Sequence, residues 1–82
     1  EMLGARDKGV RMTIMMKDIP GEFAKLTNAV AGVNGNIVAF STFEAIDEAE
    51  REVTMKVTGI DEKRLNEIIS PLALRVIDIR TT

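Results

Sequence analysis

The chain has 82 residues, 45% of them hydrophobic and 29% charged, with a formal net charge of −2. That balance suits one compact domain and excludes a disordered or membrane-spanning chain. It contains no Cys, His, Trp or Tyr, which excludes disulfides, thiolate nucleophiles, Cys/His zinc sites and imidazole acid–base chemistry, while the mild acidity removes the footprint of a nucleic-acid binder.

A domain of this length buries only about 60 to 65% of the surface its unfolded chain exposes, so a net stability of a few kcal/mol is expected and a partner surface is attractive. Residues 1–9 begin with Glu1-Met2-Leu3-Gly4 and a charged run; they read as a linker or the end of an upstream domain, with the folded unit over residues 10–82. No signal-peptide pattern opens the chain and no apolar run approaches the roughly 20 residues a membrane helix needs, so a cytoplasmic domain without a membrane partner is expected.

From Val10 to Lys17 the apolar residues Val10, Met12, Ile14 and Met16 alternate with Arg11, Thr13 and Lys17, the pattern of a strand with one buried face. Met15 interrupts the polar side. Asp18-Ile19-Pro20-Gly21 stops the strand, since Pro20 lacks a ladder donor and Gly21 tolerates unusual angles. A helix follows, with Phe23, Leu26, Thr27, Val30 and Ala31 at helical spacing. Gly32, or Asn34-Gly35 just after it, supplies a left-handed cap.

Asn36 leads into a second strand to about Ala45, with Ile37, Ala39, Ser41 and Phe43 on one side and Val38, Phe40 and Thr42 on the other. Large apolar groups on both faces are more than a two-layer fold with one wet sheet face requires. Residues 46–50 read as an acidic hairpin connection, after which Val53, Met55 and Val57 alternate with Glu52, Thr54, Lys56 and Thr58. A second helix spans about Glu62 to Ser70, capped by Asp61 or Thr58, with an apolar stripe of Leu65, Ile68, Ile69 and Leu72. Leu74 to Arg80 is the last strand. The order β, α, β, β, α, β predicts an α+β ferredoxin-like sandwich, a four-stranded antiparallel sheet with two helices on one face.

Little here resembles catalysis or metal binding. Glu44, Asp47, Glu48, Glu50 and Glu52 form the densest acidic group, yet the spacing fits no calcium loop, and a solvated hairpin tip partly neutralised by Arg51 accounts for it. Asp18 and Glu22 lack a pocket to separate their acidities, and Lys17 and Lys25 sit where a strand or helix meets water. No catalytic residue, metal or cofactor is expected. The Asp18–Ala24 stretch is the one place with a ready binding geometry: a glycine before a helix admits a small molecule to the backbone, and the first helical N–H groups point outward.

A strand ending in Asp18, then Pro20-Gly21, a helix with Phe23-Ala24 and Leu26, and a Gly35-Asn36-Ile37 return strand together resemble the ACT domain signature, over about Val10 to Arg80. The resemblance implies a regulatory, non-enzymatic module that binds an amino acid at an interface between two such domains. The ligand-binding positions would be Asp18, Ile19, Pro20, Gly21, Glu22, Asn36 and Ile37. Met15, Val38 and Phe40 are expected on the helix-free sheet face, or near the edge formed by the second strand, as the interface of a homodimer or higher oligomer. The tail Glu1–Arg6 looks like the end of a CBS-domain pair, as in the acetoin-utilisation AcuB-like proteins that join CBS domains to a C-terminal ACT domain. At roughly 0.6 kcal/mol per heavy atom, a small amino acid would bind with about 5 kcal/mol, near 0.2 mM. The alternative is a pure dimerisation module with no ligand.

Overall fold

Alternation in the first strand has the expected result: Val10, Met12, Ile14 and Met16 are all buried in β1 (Val10–Lys17). The computed structural model describes residues 9–44 and 49–82; the upstream tail and the Asp47 and Glu48 positions of the acidic hairpin lie outside them. After β1 come α1 (Glu22–Gly32), β2 (Asn36–Glu44), β3 (Glu50–Thr58), α2 (Glu62–Ile69) and β4 (Arg75–Thr81). The strands form one antiparallel sheet in the order β2-β3-β1-β4. This is the ferredoxin-like βαββαβ fold that the alternation of elements predicts.

One core holds the layers together. Met12, Ile14 and Met16 of β1 and Val53, Met55 and Val57 of β3 meet Leu26 and Val30 of α1 and Leu65 and Ile69 of α2, each 1% exposed or less. Burying each such side chain contributes about 1.5–3 kcal/mol. The α1 stripe is narrower than the spacing suggests: Leu26 and Val30 are buried, with Ala29 packed beside them. Thr27 and Ala31 face outward, and the Thr27 hydroxyl donates to the Ala24 carbonyl oxygen at 3.1 Å.

Helix ends follow local chemistry. Asp61 caps α2, its carboxylate accepting from the Arg64 N–H at 2.8 Å. Of the two caps expected after α1, Asn34 takes the left-handed conformation, with φ 63°. Gly35 then passes so close to the helix that a Cβ there would lie 2.7 Å from Val30 Cγ1. The last strand begins at Arg75 rather than Leu74.

The second strand departs from simple alternation. Ile37 lies opposite Val57 but Ala39 lies opposite Lys56, so Val38 is an extra residue in a β-bulge. A bulge reverses which parity faces the core. Phe40 therefore stands opposite buried Met55 on the helix side, whereas Ala39, Ser41 and Phe43 share the open face with Lys56, Thr54 and Glu52. This corrects the expected placement of Phe40 on the helix-free face and of Ile37 on the same face as Ala39. Val38 and Phe40 do lie on an edge strand. Met15, paired with Glu52 and Arg75 on the open face, is only 7% exposed within a single chain.

Candidate functional site

The turn between β1 and α1 is built by Pro20 and Gly21. Gly21 is the residue before the helix and has φ 91°, a left-handed backbone that a side chain would strain. No side chain caps α1, in contrast to α2; the Glu22 N–H donates to the Ile19 carbonyl at 3.4 Å, and the Phe23 and Ala24 N–H groups are left at the open helix start. A Cβ on Gly21 would meet nothing within 4 Å. The turn is open to an approaching molecule.

Asp18 is held at both its backbone and its side chain. Its N–H donates to the Ala49 carbonyl at 2.9 Å, and its carboxylate accepts from Arg51 Nη2 at 3.1 Å. Arg51 is bound the more firmly to its proton by this hydrogen bond and by the Asp18 charge. The pair satisfies itself through Arg51 Nη2 and Asp18 Oδ2, so what it offers a zwitterion is its remaining guanidinium N–H donors and the other carboxylate oxygen. Arg51 is the contact that sequence reasoning assigned only to neutralising a hairpin. Its signal lies in the register, since it follows Glu50, the residue opposite Lys17 at the end of β1.

Beside this turn lies a groove of about 300 Å³, lined by Lys17, Glu22, Lys25 and the Pro71–Leu74 connection. Glu22 and Lys25 form an ion pair at 3.0 Å across its rim. Lys17 and Lys25, read from the sequence as solvated lysines, thus border the same depression as Glu22. Ile19 at the tip is 52% exposed.

Asn36 and Ile37 are elsewhere. β1 and β2 both run antiparallel to β3 and hence parallel to each other, with Asn36 opposite Thr58, Ile37 opposite Val57, and Lys17 opposite Glu50. Val10 also faces Val57, so the start of β2 lies level with the start of β1. Seven residue steps, roughly 23 Å at strand rise, separate it from the Asp18–Glu22 turn. The two halves of the expected ligand site are therefore at opposite ends of one sheet. One small molecule cannot touch both within a chain.

A ferredoxin-like sandwich with an uncapped, glycine-led helix after its first strand is the architecture of an ACT domain, a class of regulatory ligand-binding domain. The chain belongs to this family: the TTHA0829-like ACT domain matches residues 8–80. No curated protein matches the chain significantly. Among solved structures it resembles the ACT domain of GTP pyrophosphokinase from Chlorobium tepidum (16% identity, TM-score 0.51, covering 92% of this chain and 95% of that one). It also resembles the C-terminal domain of the MgtC protein from Mycobacterium tuberculosis (12%, TM-score 0.63, covering 92% and 85%). A formyltetrahydrofolate deformylase from Pseudomonas syringae pv. tomato str. DC3000 is similar at 24% identity and TM-score 0.67, with 92% of this chain covered but only 27% of the deformylase. The chain thus spans about a quarter of that enzyme's length, and these likenesses concern the fold. Among the described residues, no helix is long and apolar enough to cross a membrane.

Proposed function

We propose that this ACT domain senses a small amino acid at the boundary between two copies, with the Asp18–Glu22 turn of one chain facing the Asn36–Ile37 strand start of the other. The separation of these segments within one sheet is the observation that carries the reading. β2 is an edge strand, and antiparallel pairing of two β2 strands about Phe40 sets Asn36 of one copy opposite Glu44 of the other. Glu44 is opposite Arg51, the partner of Asp18. Two-fold pairing along this edge therefore carries each strand start toward the other chain's turn.

The two sheet edges differ in a way that favours β2. Edge strands usually carry charges that discourage pairing. β4 has Arg75, Asp78 and Arg80. β2 over Asn36–Phe43 has none, and it exposes Val38, Phe40 and Phe43. In this reading occupancy is passed to an attached domain, CBS domains upstream being the arrangement proposed, and the ligand shifts the assembly only by its differential affinity for two states.

The test begins with calorimetric screening of the twenty amino acids against the 82-residue chain. Saturable binding near the millimolar to 0.1 mM range is expected for a ligand of about eight heavy atoms. For the amino acid that binds, Gly21→Leu and Asn36→Leu chains are then titrated separately and as a mixed dimer. Each alone should lose binding, and the mixture should recover one site per dimer, because it contains one intact turn facing one intact strand start. Gly21→Ala serves as the control for backbone strain without bulk. Failure of the mixture to recover binding would place the site within one chain; silence of the native chain toward every amino acid would leave assembly alone.

A further inference from the structure

The open face of the sheet carries a different kind of chemistry from the turn. Its residues lie in rows across the four strands. One row reads Ala39, Lys56, Arg11, Arg80; the next reads Ser41, Thr54, Thr13, Asp78. Arg11 thus has a cation directly opposite it on both sides, Lys56 across one ladder and Arg80 across the other. Like charges in directly opposed positions of an antiparallel pair are destabilising. Adjacent rows could have relieved this with carboxylates, yet Asp78 is the only acidic residue of these two rows. Arg80 is already committed to it, through hydrogen bonds of 2.9 and 3.1 Å. Among the described residues neither Arg11 nor Lys56 forms a salt bridge. In a chain of net charge −2 this part of the surface has three cations against one carboxylate.

The surface at this position is concave. A groove of about 290 Å³ crosses β3 from β2 to β1, lined by Arg11, Lys56, Ala39, Ser41 and Thr54, with Phe40 and Met55 between them along the strands. It contains both cations that form no salt bridge, and no carboxylate lines it. Ala39 keeps its β2 wall low beside Lys56. Ser41 and Thr54 add hydroxyls to its wall, and Thr54 is paired with Thr13 just outside it, their oxygens 3.1 Å apart. One of those two hydroxyls donates to the other, so the pair keeps one O–H for an outside acceptor.

We propose that this groove is a second ligand site, for a dianionic phosphate-monoester group. Two cations match two charges, and a tetrahedral phosphate has enough peripheral oxygens to accept from Arg11, Lys56, Ser41 and the threonine pair together. A monocarboxylate supplies one charge and two oxygens, leaving one cation unmatched. A nucleic acid would need a longer basic track than one groove on an acidic chain. The site is on the face opposite the helices and about six strand steps, roughly 20 Å, from the amino-acid turn. It does not depend on that reading.

The experiment measures thermal unfolding and heteronuclear NMR shifts of the chain, titrated with phenyl phosphate at pH 7.5 and constant ionic strength, with sodium chloride and sodium acetate as matched controls. Phenyl phosphate should raise the midpoint saturably and move the amides around Arg11, Ser41, Thr54 and Lys56. Arg11→Thr and Lys56→Thr should each weaken binding roughly tenfold or more, the loss expected for a hydrogen bond to a charged group. Arg11 is exposed and Lys56 half-buried, its stem lying over Gly9; each variant should still fold and unfold near the native midpoint without ligand, because it removes an opposed like charge. Affinity should fall as the pH drops through the second phosphate ionisation near 6. An equal response to chloride, shifts that map to the Asp18–Glu22 turn, or undiminished binding by both folded variants would overturn the proposal.

Discussion

The rings of Phe23 on α1 and Phe40 on β2 meet edge to face, with centroids 5.8 Å apart and planes at 89°. This contact exists because the Val38 bulge turns Phe40 to the helix side. It is unfinished: Phe23 is 36% and Phe40 41% exposed. An aromatic pair half in water at the middle of an edge strand is a surface that a second copy would cover.

Replacing Phe40 with Asp therefore separates assembly from folding. Within one chain the change loses an aromatic contact worth about 0.5–1.5 kcal/mol, which the domain tolerates. Across a β2–β2 boundary it sets two carboxylates near the two-fold axis, and the dimer dissociation constant should rise by a factor of 100 or so, about 2.7 kcal/mol. Sedimentation velocity checks this. An unchanged oligomer distribution with normal circular dichroism would remove β2 as the interface.

Ile37-Val38-Ala39-Phe40 is apolar at both parities, so alternation cannot say which residue faces the core or where an extra one enters. Ile77 in β4, between Val76 opposite Ile14 and Asp78 opposite Thr13, is the same case. β1 and β3 are legible because their outward positions are mostly Thr, Lys, Arg and Glu. For the candidate site, Pro20 and Gly21 announce the turn by local chemistry. Arg51 does not announce itself, since its pairing with Asp18 depends on a register set 33 residues away.

Gly35 ties the helix to the strand start through close packing. A Cβ there would be 2.7 Å from Val30 Cγ1 and 3.2 Å from both the Val30 carbonyl and Val57 Cγ1. Gly35→Ala should cost about 1–3 kcal/mol by overpacking. Val30→Ala alone should cost about 1–3 kcal/mol through its cavity. Together they should cost less than their sum, because truncating Val30 vacates the space the new methyl needs. Urea denaturation of the four chains closes this cycle; strict additivity would show that the backbone contact, not Val30 Cγ1, resists the methyl.

Acid should weaken the fold partly through Asp78. Its carboxyl is held below the ordinary carboxylate value, chiefly by the Arg80 hydrogen bonds, with the Arg80 and Arg11 charges adding to this. A carboxylate whose folded value is depressed favours the folded state above its unfolded value of about 3.9 and loses that contribution as pH falls through the folded value. Asp78→Asn should accordingly lower the unfolding midpoint at pH 7 by a small amount, since the pair is exposed and screened by salt. The gap to the native chain should narrow below about pH 4 and close once the native Asp78 is protonated. The same substitution leaves Arg80 without its partner, so the three opposed cations should make the loss larger at low ionic strength. Midpoints measured from pH 7 to pH 2 at two salt concentrations check both trends, and a gap independent of pH would show that Asp78 contributes through shape rather than charge.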